Sequence, residues 1–256
     1  MSEESAYPPG AGRSADADGP RHEHRIRSFQ ARGRGRVTTG QRAALHRLWP
    51  RWGFEVDGSG PLDLAALFAD PDRPGERLDP MPPVVLEIGF GMGDATARMA
   101  ADDPDTALLA VDVHTPGQGN LLRLAEQHGL TNIRVGNGDA VVLLRDMLPA
   151  DSLSGLRIYF PDPWPKKRHH KRRLIQPPFL DLAAGPLRSG ALVHCATDWE
   201  PYAEQMLEVF SAHPDYVNTR PDGGFAPDSG PRPPTRFETA GLDKGHKVRD
   251  LLFRRR

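Results

Sequence analysis

The chain has 256 residues, 38% of them hydrophobic, with 26 glycines and 26 prolines. That length suits one domain with extensions, and the low apolar share predicts that part of the chain stays unpacked. Lysine plus arginine number 33 against 34 acidic residues, a net charge of −1, which excludes a globally basic nucleic-acid binder but not a local basic patch.

Residues 1–24 hold almost no aliphatic side chains and many Gly, Pro, Ser and Asp. They cannot bury enough apolar surface to offset their ordering entropy, so a disordered tail is expected. Residues 25–83 read as a basic arm with a helical extension. Six arginines fall between Arg21 and Arg36 against one acid, Glu23. A helix is predicted from about Gly40 to Trp49, stopped by Pro50. Residues 53–82 are rich in Pro, Asp and Gly, with one short helical piece, LDLAALF.

From residue 84 the pattern becomes regular. VVLEIGF, ALLAVDV, NIRVGNGD, LRIYFPDP and SGALVHCAT read as strands. DATARMAA, QGNLLRLAEQHGL, AVVLLRDML, IQPPFLDLAAGPL and WEPYAEQMLEVFSAH read as the helices between and after them. Alternation of this kind means an α/β fold with a mostly parallel sheet and helices on both faces. Residues 218–236 look irregular, and KVRDLLFRRR reads as a last strand.

Gly89, Gly91 and Gly93 lie between the first strand of this region and its helix. Glycines there let backbone approach a ligand, and the helix N-terminus offers free N–H groups. The spacing is GxGxG, and Asp94 stands where a dinucleotide fingerprint has its third glycine. Glu87 precedes the turn. A carboxylate would repel a pyrophosphate but attract the cationic amino-acid end of S-adenosylmethionine. Asp112 ends the next strand, where an acid bonds a ribose hydroxyl pair; that alone serves a nicotinamide or a methyl donor equally. Asp139 ends the third and suits either an adenine amino group or a helix N-cap.

The fourth strand leads into Tyr159, Phe160, Pro161, Asp162, Pro163, Trp164 and Pro165, then Lys166, Lys167, Arg168, His169, His170, Lys171, Arg172 and Arg173. Six of the last eight are cations, at the carboxyl end of a strand, the rim on which α/β sheets bind ligands. Cations there would neutralise phosphates, and neighbouring aromatics would stack on exposed bases. The prolines around Asp162 restrict where its carboxylate points. Asp198 ends the fifth strand. The lesser alternative for either acid is a cap or a salt-bridge partner of the arginines.

These segments together resemble the bacterial tRNA (guanine-N7-)-methyltransferase family. The resemblance runs from about Arg27 to Arg256, through RSFQARGRGRVTTGQ, LEIGFGMGDATA, VHTPGQGNLL, YFPDPWPKKRHHKRR, ATDWEPYAEQMLEVF and RPPTRFE. It implies a class I, Rossmann-like methyltransferase fold over 84–256, with a seven-stranded sheet and an antiparallel last strand. It further implies S-adenosylmethionine as donor and, as acceptor, N7 of a guanine in the tRNA variable loop (position 46 in tRNA convention). Carried over, Glu87, Gly89, Gly91, Gly93, Asp112, Asp139 and Asp162 would bind the donor. Asp162 would also be the acid of the active centre. Lys166, Asp198, Thr235, Arg236, Phe237 and Glu238 would bind substrate. Arg168, His169, His170, Lys171, Arg172 and Arg173 would contact RNA. Asp112 replaces a common Glu, and Arg236 a Lys; arginine can fork where lysine is a point charge.

Three rivals remain at this level: an NAD(P)-dependent oxidoreductase, an RNA-binding module without a donor, and a methyltransferase acting on another RNA base. No metal is expected, since His169, His170 and His194 lack ligand spacing. The one cysteine, Cys195, excludes a disulfide framework and fits a reducing, cytoplasmic setting. No apolar run approaches the ~18 residues of a membrane span, and no secretory signal is expected.

Overall fold

The computed structural model describes residues 36–73, 75–230, 232–233 and 247–256. The expected tail, the arginines of 25–35, and Thr235, Arg236, Phe237 and Glu238 lie outside the described residues.

The strands are β1 (Gly53–Glu55), β2 (Val84–Ile88), β3 (Ala107–Asp112), β4 (Ile133–Asn137), β5 (Leu153–Tyr159), β6 (Leu187–Thr197), β7 (Tyr216–Asn218) and β8 (Arg249–Arg255). They form one sheet in the order β1-β4-β3-β2-β5-β6-β8-β7. All neighbours pair in parallel except β8, which is antiparallel to both β6 and β7. The chain winds outward from β2 through β3 to β4, then returns to β5 on the other side of β2. Ligands of open α/β sheets bind at such a reversal, outside the carboxyl ends of the strands.

The helices are α1 (Thr39–Trp52), α2 (Leu64–Leu67), α3 (Asp94–Asp102), α4 (Thr115–Gln127), α5 (Ala140–Val142), α6 (Pro177–Ala184) and α7 (Glu200–Ala212). Strand side chains alternate between faces, so each central strand feeds two cores. Leu109 and Val111 join Phe179, Met206 and Phe210 of α6 and α7. Leu108 and Ala110 join Leu45, Leu48, Trp49, Leu121 and Leu122 of α1 and α4. Burial on both faces explains why these strands read as continuous apolar runs.

Three expectations are corrected. The first helix passes Pro50 and ends at Trp52. Proline removes one donor near the helix end, and the continuation carries Trp52 into the core, where it is buried like Trp49. The sheet has eight strands rather than seven. The one addition is short and lies at an edge, and the strand of the seven that no apolar run marked lies at the other. Gly53–Glu55 extends it beside β4, in the segment expected to be irregular but for LDLAALF, and Tyr216–Asn218 pairs with β8. AVVLLRDML is helical only at its start and widens into a π turn over Leu143–Met147.

Candidate functional site

Five loops meet at the carboxyl rim, and the first is the glycine turn after β2. Gly89, Gly91 and Gly93 have φ of 80°, 59° and 79°, a region that side chains other than glycine seldom adopt. A Cβ on Gly89 or Gly91 would meet nothing within 4 Å, so their backbone borders open space. A Cβ on Gly93 would lie 2.8 Å from Leu121 Cβ. Gly93 therefore serves close packing of the turn on α4, the task a dinucleotide fingerprint gives its third glycine.

Glu87 lies beneath the turn and is buried. Its Oε1 accepts from Thr96 Oγ1 at 3.1 Å, and its Oε2 is buried with no hydrogen-bond partner among the described residues. Burial pushes the carboxyl up to about 7, against the pull of Arg157 and the Thr96 bond. A buried carboxylate oxygen left unpaired is costly, and a bound cation beside it would relieve that cost. Asp112 ties the turn to β3. Its Oδ2 accepts from Gly91 N and its Oδ1 from His114 N, each at 2.9 Å. Burial raises its carboxyl, while those bonds oppose the shift. Each oxygen keeps a second lone pair for a ligand hydroxyl. Asp139 caps α5, accepting from Val141 N at 2.9 Å, so the capping role left open by the sequence is present here.

Helix α4 holds residues that sequence reasoning passed over. A Cβ on Gly117 would fall 1.8 Å from Gly91 O, so this glycine is the notch into which the turn fits. Asn120 Nδ2 donates to Met92 O at 2.7 Å and holds the same turn from below. Gln118 is fully buried and donates to Asp112 O at 2.7 Å and to Asn137 Oδ1 at 3.0 Å, joining the ends of β3 and β4. Gly119 admits α1, since a Cβ would lie 2.7 Å from Gln41 O. Two glycines inside a helix lower its propensity, and that was the available signal.

After β5 the chain turns sharply. Phe160 and Trp164 have φ of 50° and 43°, strained values for aromatic residues. Between them Asp162 is half-buried, and burial raises its carboxyl. A 3₁₀ turn over Lys167–Arg172 follows. Lys166, Lys167, Arg168 and Lys171 are exposed, with His169, His170 and Arg172 partly so. The Arg172 guanidinium lies 4.9 Å from the Trp164 ring centre, and His169 meets the ring edge-on at 5.7 Å. Arg173 departs from the expected RNA-contacting run. It is buried, its Nε donates to Pro163 O at 2.8 Å, its Nη1 bonds Gln205, and it lies 4.7 Å from the Tyr202 ring centre. It braces the PDPWP turn against α7 rather than facing solvent. Asp198 stands partly buried at the end of β6, on the same rim.

The rim thus gathers Glu87, Asp112, Asp139, Asp162 and Asp198 at the ends of five strands, with an exposed cationic turn beside them. Among the described residues no three His, Cys, Asp or Glu side chains cluster as a metal site, and no helix is long and apolar enough to cross a membrane.

A methyltransferase family model matches residues 81–251. The chain is 70% identical over 244 residues to a tRNA (guanine-N(7)-)-methyltransferase of Streptomyces avermitilis, covering 95% of this chain and 80% of that one. It is 52% identical over 248 residues to the tRNA (guanine-N(7)-)-methyltransferase of Burkholderia pseudomallei, covering 97% and 88%. A solved 16S rRNA methyltransferase is similar with a TM-score of 0.49 and 16% identity, over 70% of this chain and 90% of that one.

Proposed function

Since the chain belongs to the tRNA (guanine-N7-)-methyltransferase family, we propose that it methylates N7 of a guanine in the tRNA variable loop, with S-adenosylmethionine as donor. The observation that carries this reading is the buried, unpartnered Glu87 Oε2 beneath an open glycine turn, on the same rim as Asp162 and the cationic turn. It favours a cationic donor over a dinucleotide, whose pyrophosphate Glu87 would repel.

The residues present fit that donor. Glu87 would hold its amino group, Asp112 its ribose hydroxyls, and Asp139 its adenine amino group through the carboxylate that also caps α5. When bound, S-adenosylmethionine supplies an activated methyl group on a sulfonium. Guanine N7 carries a lone pair and no proton, so the work left to the protein is alignment and electrostatics. Asp162 would orient the base through its N1–H and exocyclic amino group, or stabilise the positive charge that develops on the ring. The first role rejects adenine, which has no donor at N1. Lys167, Arg168, Lys171 and Arg172 would hold phosphates, and Lys166 and Asp198 would contact the substrate nearer the base. The enzyme would act in the cytoplasm, where its substrate is.

The test uses purified protein, donor and two unmodified tRNA transcripts, one with guanine at the variable-loop site and one with adenine. Nucleoside mass spectrometry should find 7-methylguanosine in the first alone. Another methylated nucleoside would overturn the acceptor assignment. No binding of S-adenosylhomocysteine would overturn the donor assignment.

A further inference from the structure

Four side chains from distant parts of the chain meet in the interior beside β5, β6 and β8: Tyr159, His194, Arg232 and Asp250, all buried. Arg232 forks onto Asp250, with Nε to Oδ1 at 3.0 Å and Nη2 to Oδ2 at 3.1 Å. His194 Nε2 is 2.7 Å from Asp250 Oδ1, and His194 Nδ1 is 3.1 Å from the Tyr159 hydroxyl.

The direction of the bonds to Asp250 follows from the chemistry. Burial pushes the Asp250 carboxyl up, but the bonds from His194 and Arg232 outweigh it and hold it below the usual range. An ionised carboxylate only accepts, so His194 Nε2 donates to it. His194 Nδ1 bonds the Tyr159 hydroxyl on its other side, and burial keeps that hydroxyl protonated. His194 and Arg232 thus converge on Asp250, and the two-pronged bond sets the plane of the Arg232 guanidinium.

That plane has a use. The guanidinium lies 5.4 Å from the ring centre of Phe160 and 5.6 Å from that of Tyr159. Phe160 is the residue at φ 50°, anchored through its N–H to Ala196 O at 2.7 Å, and it stands two residues before Asp162. A residue in such a backbone conformation is held there by its surroundings, which here are the bond to Ala196 and the contacts of the ring. Replacing a buried ion pair by apolar residues is often neutral for stability, so stability is a weak reason for this one.

We propose that Arg232 is a positioning residue for the acceptor base: held by Asp250, it clamps the Phe160 ring and so fixes the turn that delivers Asp162. The inference rests on Asp162 facing the base. Lysine at 232 keeps the charge for Asp250 but loses the planar face and the fork. Misplacement near 1 Å can lower a rate about a hundredfold.

The experiment takes the full-length wild type, Arg232→Lys, Phe160→Leu and the double variant. It measures single-turnover methylation of the guanine transcript at saturating tRNA, S-adenosylhomocysteine affinity by calorimetry, and melting temperature. We expect Arg232→Lys to lower the rate about tenfold to a hundredfold, with S-adenosylhomocysteine affinity within about twofold of wild type. The double variant should be no slower than the slower single variant, because both act through one ring. Multiplicative losses in the double variant would overturn the proposal. So would a wild-type rate for Arg232→Lys, or equal losses in rate and donor affinity. Should Arg232→Lys fold poorly, Asp250→Asn, which keeps the shape and frees the guanidinium, must give the same split between rate and affinity. A wild type that makes no 7-methylguanosine would overturn the functional reading itself, a distinct failure.

Discussion

Gly117→Ala tests how the donor loop is held. The added Cβ would stand 1.8 Å from Gly91 O, 2.9 Å from Gly91 C and 3.1 Å from His114 Nδ1. Carbon and oxygen need roughly 3.4 Å, so the turn must retreat by about 1.5 Å or α4 must move. The helix is fixed from below by Leu121, Leu122 and Ala125, all buried to 1% or less. The turn is the softer side, because it borders open space at Gly89 and Gly91. Its retreat would stretch the 2.9 Å bond from Gly91 N to Asp112 beyond hydrogen-bond range. Losing a bond to a charged acceptor costs about 1.5–3 kcal/mol, and overpacking about 1–3 kcal/mol. If half of the larger combined cost falls on ligand binding, affinity drops by roughly two orders of magnitude. Isothermal calorimetry with S-adenosylhomocysteine measures it. Gly119→Ala is the control, since its Cβ would strike Gln41 O of α1 at 2.7 Å, away from the turn. That variant should lose melting temperature and keep its affinity. Equal affinity for Gly117→Ala and wild type would refute the notch; equal losses in both variants would show that α4 acts as one unit.

Other outcomes follow from the same site. Glu87 titrates near 7, and a cationic ligand favours its ionised form, so S-adenosylhomocysteine should bind more tightly as pH rises from 6 to 8 and level off above. Glu87→Gln should bind weakly and without that slope; a wild-type profile flat over this range would refute the assignment. The same raised carboxyl destabilises the ligand-free fold increasingly as pH climbs from its unfolded value near 4.5 toward 7, and melting curves of wild type against Glu87→Gln should converge at low pH. Replacing Lys167, Arg168 and Lys171 together with Ala should weaken tRNA binding and flatten its salt dependence by up to roughly 0.7–0.9 per lost phosphate contact. Arg173→Met, by contrast, should leave the salt slope unchanged and lower turnover; an altered slope would mean that Arg173 reaches RNA. Near wild-type turnover in both Asp162→Asn and Asp162→Ala would remove Asp162 from the chemistry.

The parts of the site legible in the sequence are those whose signal is local. Glu87, Gly89, Gly91, Asp112 and Asp162 each lie within three residues of a strand's end, and a strand end is readable from an apolar run and what stops it. Arg173 is buried where the charge run alone predicts an exposed contact, because a run of like charges carries no mark of which member turns inward; that is decided by Gln205 and Tyr202, about thirty residues away. Asp139 reads either way in sequence, since a helix N-cap and a ligand-facing acid occupy the same position at a strand end; the structure shows the cap. Pro50 misled because proline in a last turn is tolerated when burial of Trp52 outweighs the lost bond. The Asp250 cluster had no local signature: His194 and Asp250 are 56 residues apart, Arg232 and Asp250 are 18 apart, and only the pairing of β6 with β8 brings them together.

The position of β8 has a consequence for how the enzyme is made. Among the described residues β7 is hydrogen-bonded in the sheet only through β8, and β8 also supplies Asp250. On the ribosome, β2 to β6 can pair as they emerge, and the glycine turn can close on α4 early. β7 must wait beside the nascent sheet until residues 249–255 slide between it and β6. A chain without residues 249–255 would therefore lack the strand that joins β6 to β7 and the carboxylate that Arg232 and His194 bond. Order at this edge of the sheet therefore arrives with a strand made after both of its neighbours, not with the strands that carry the glycine turn.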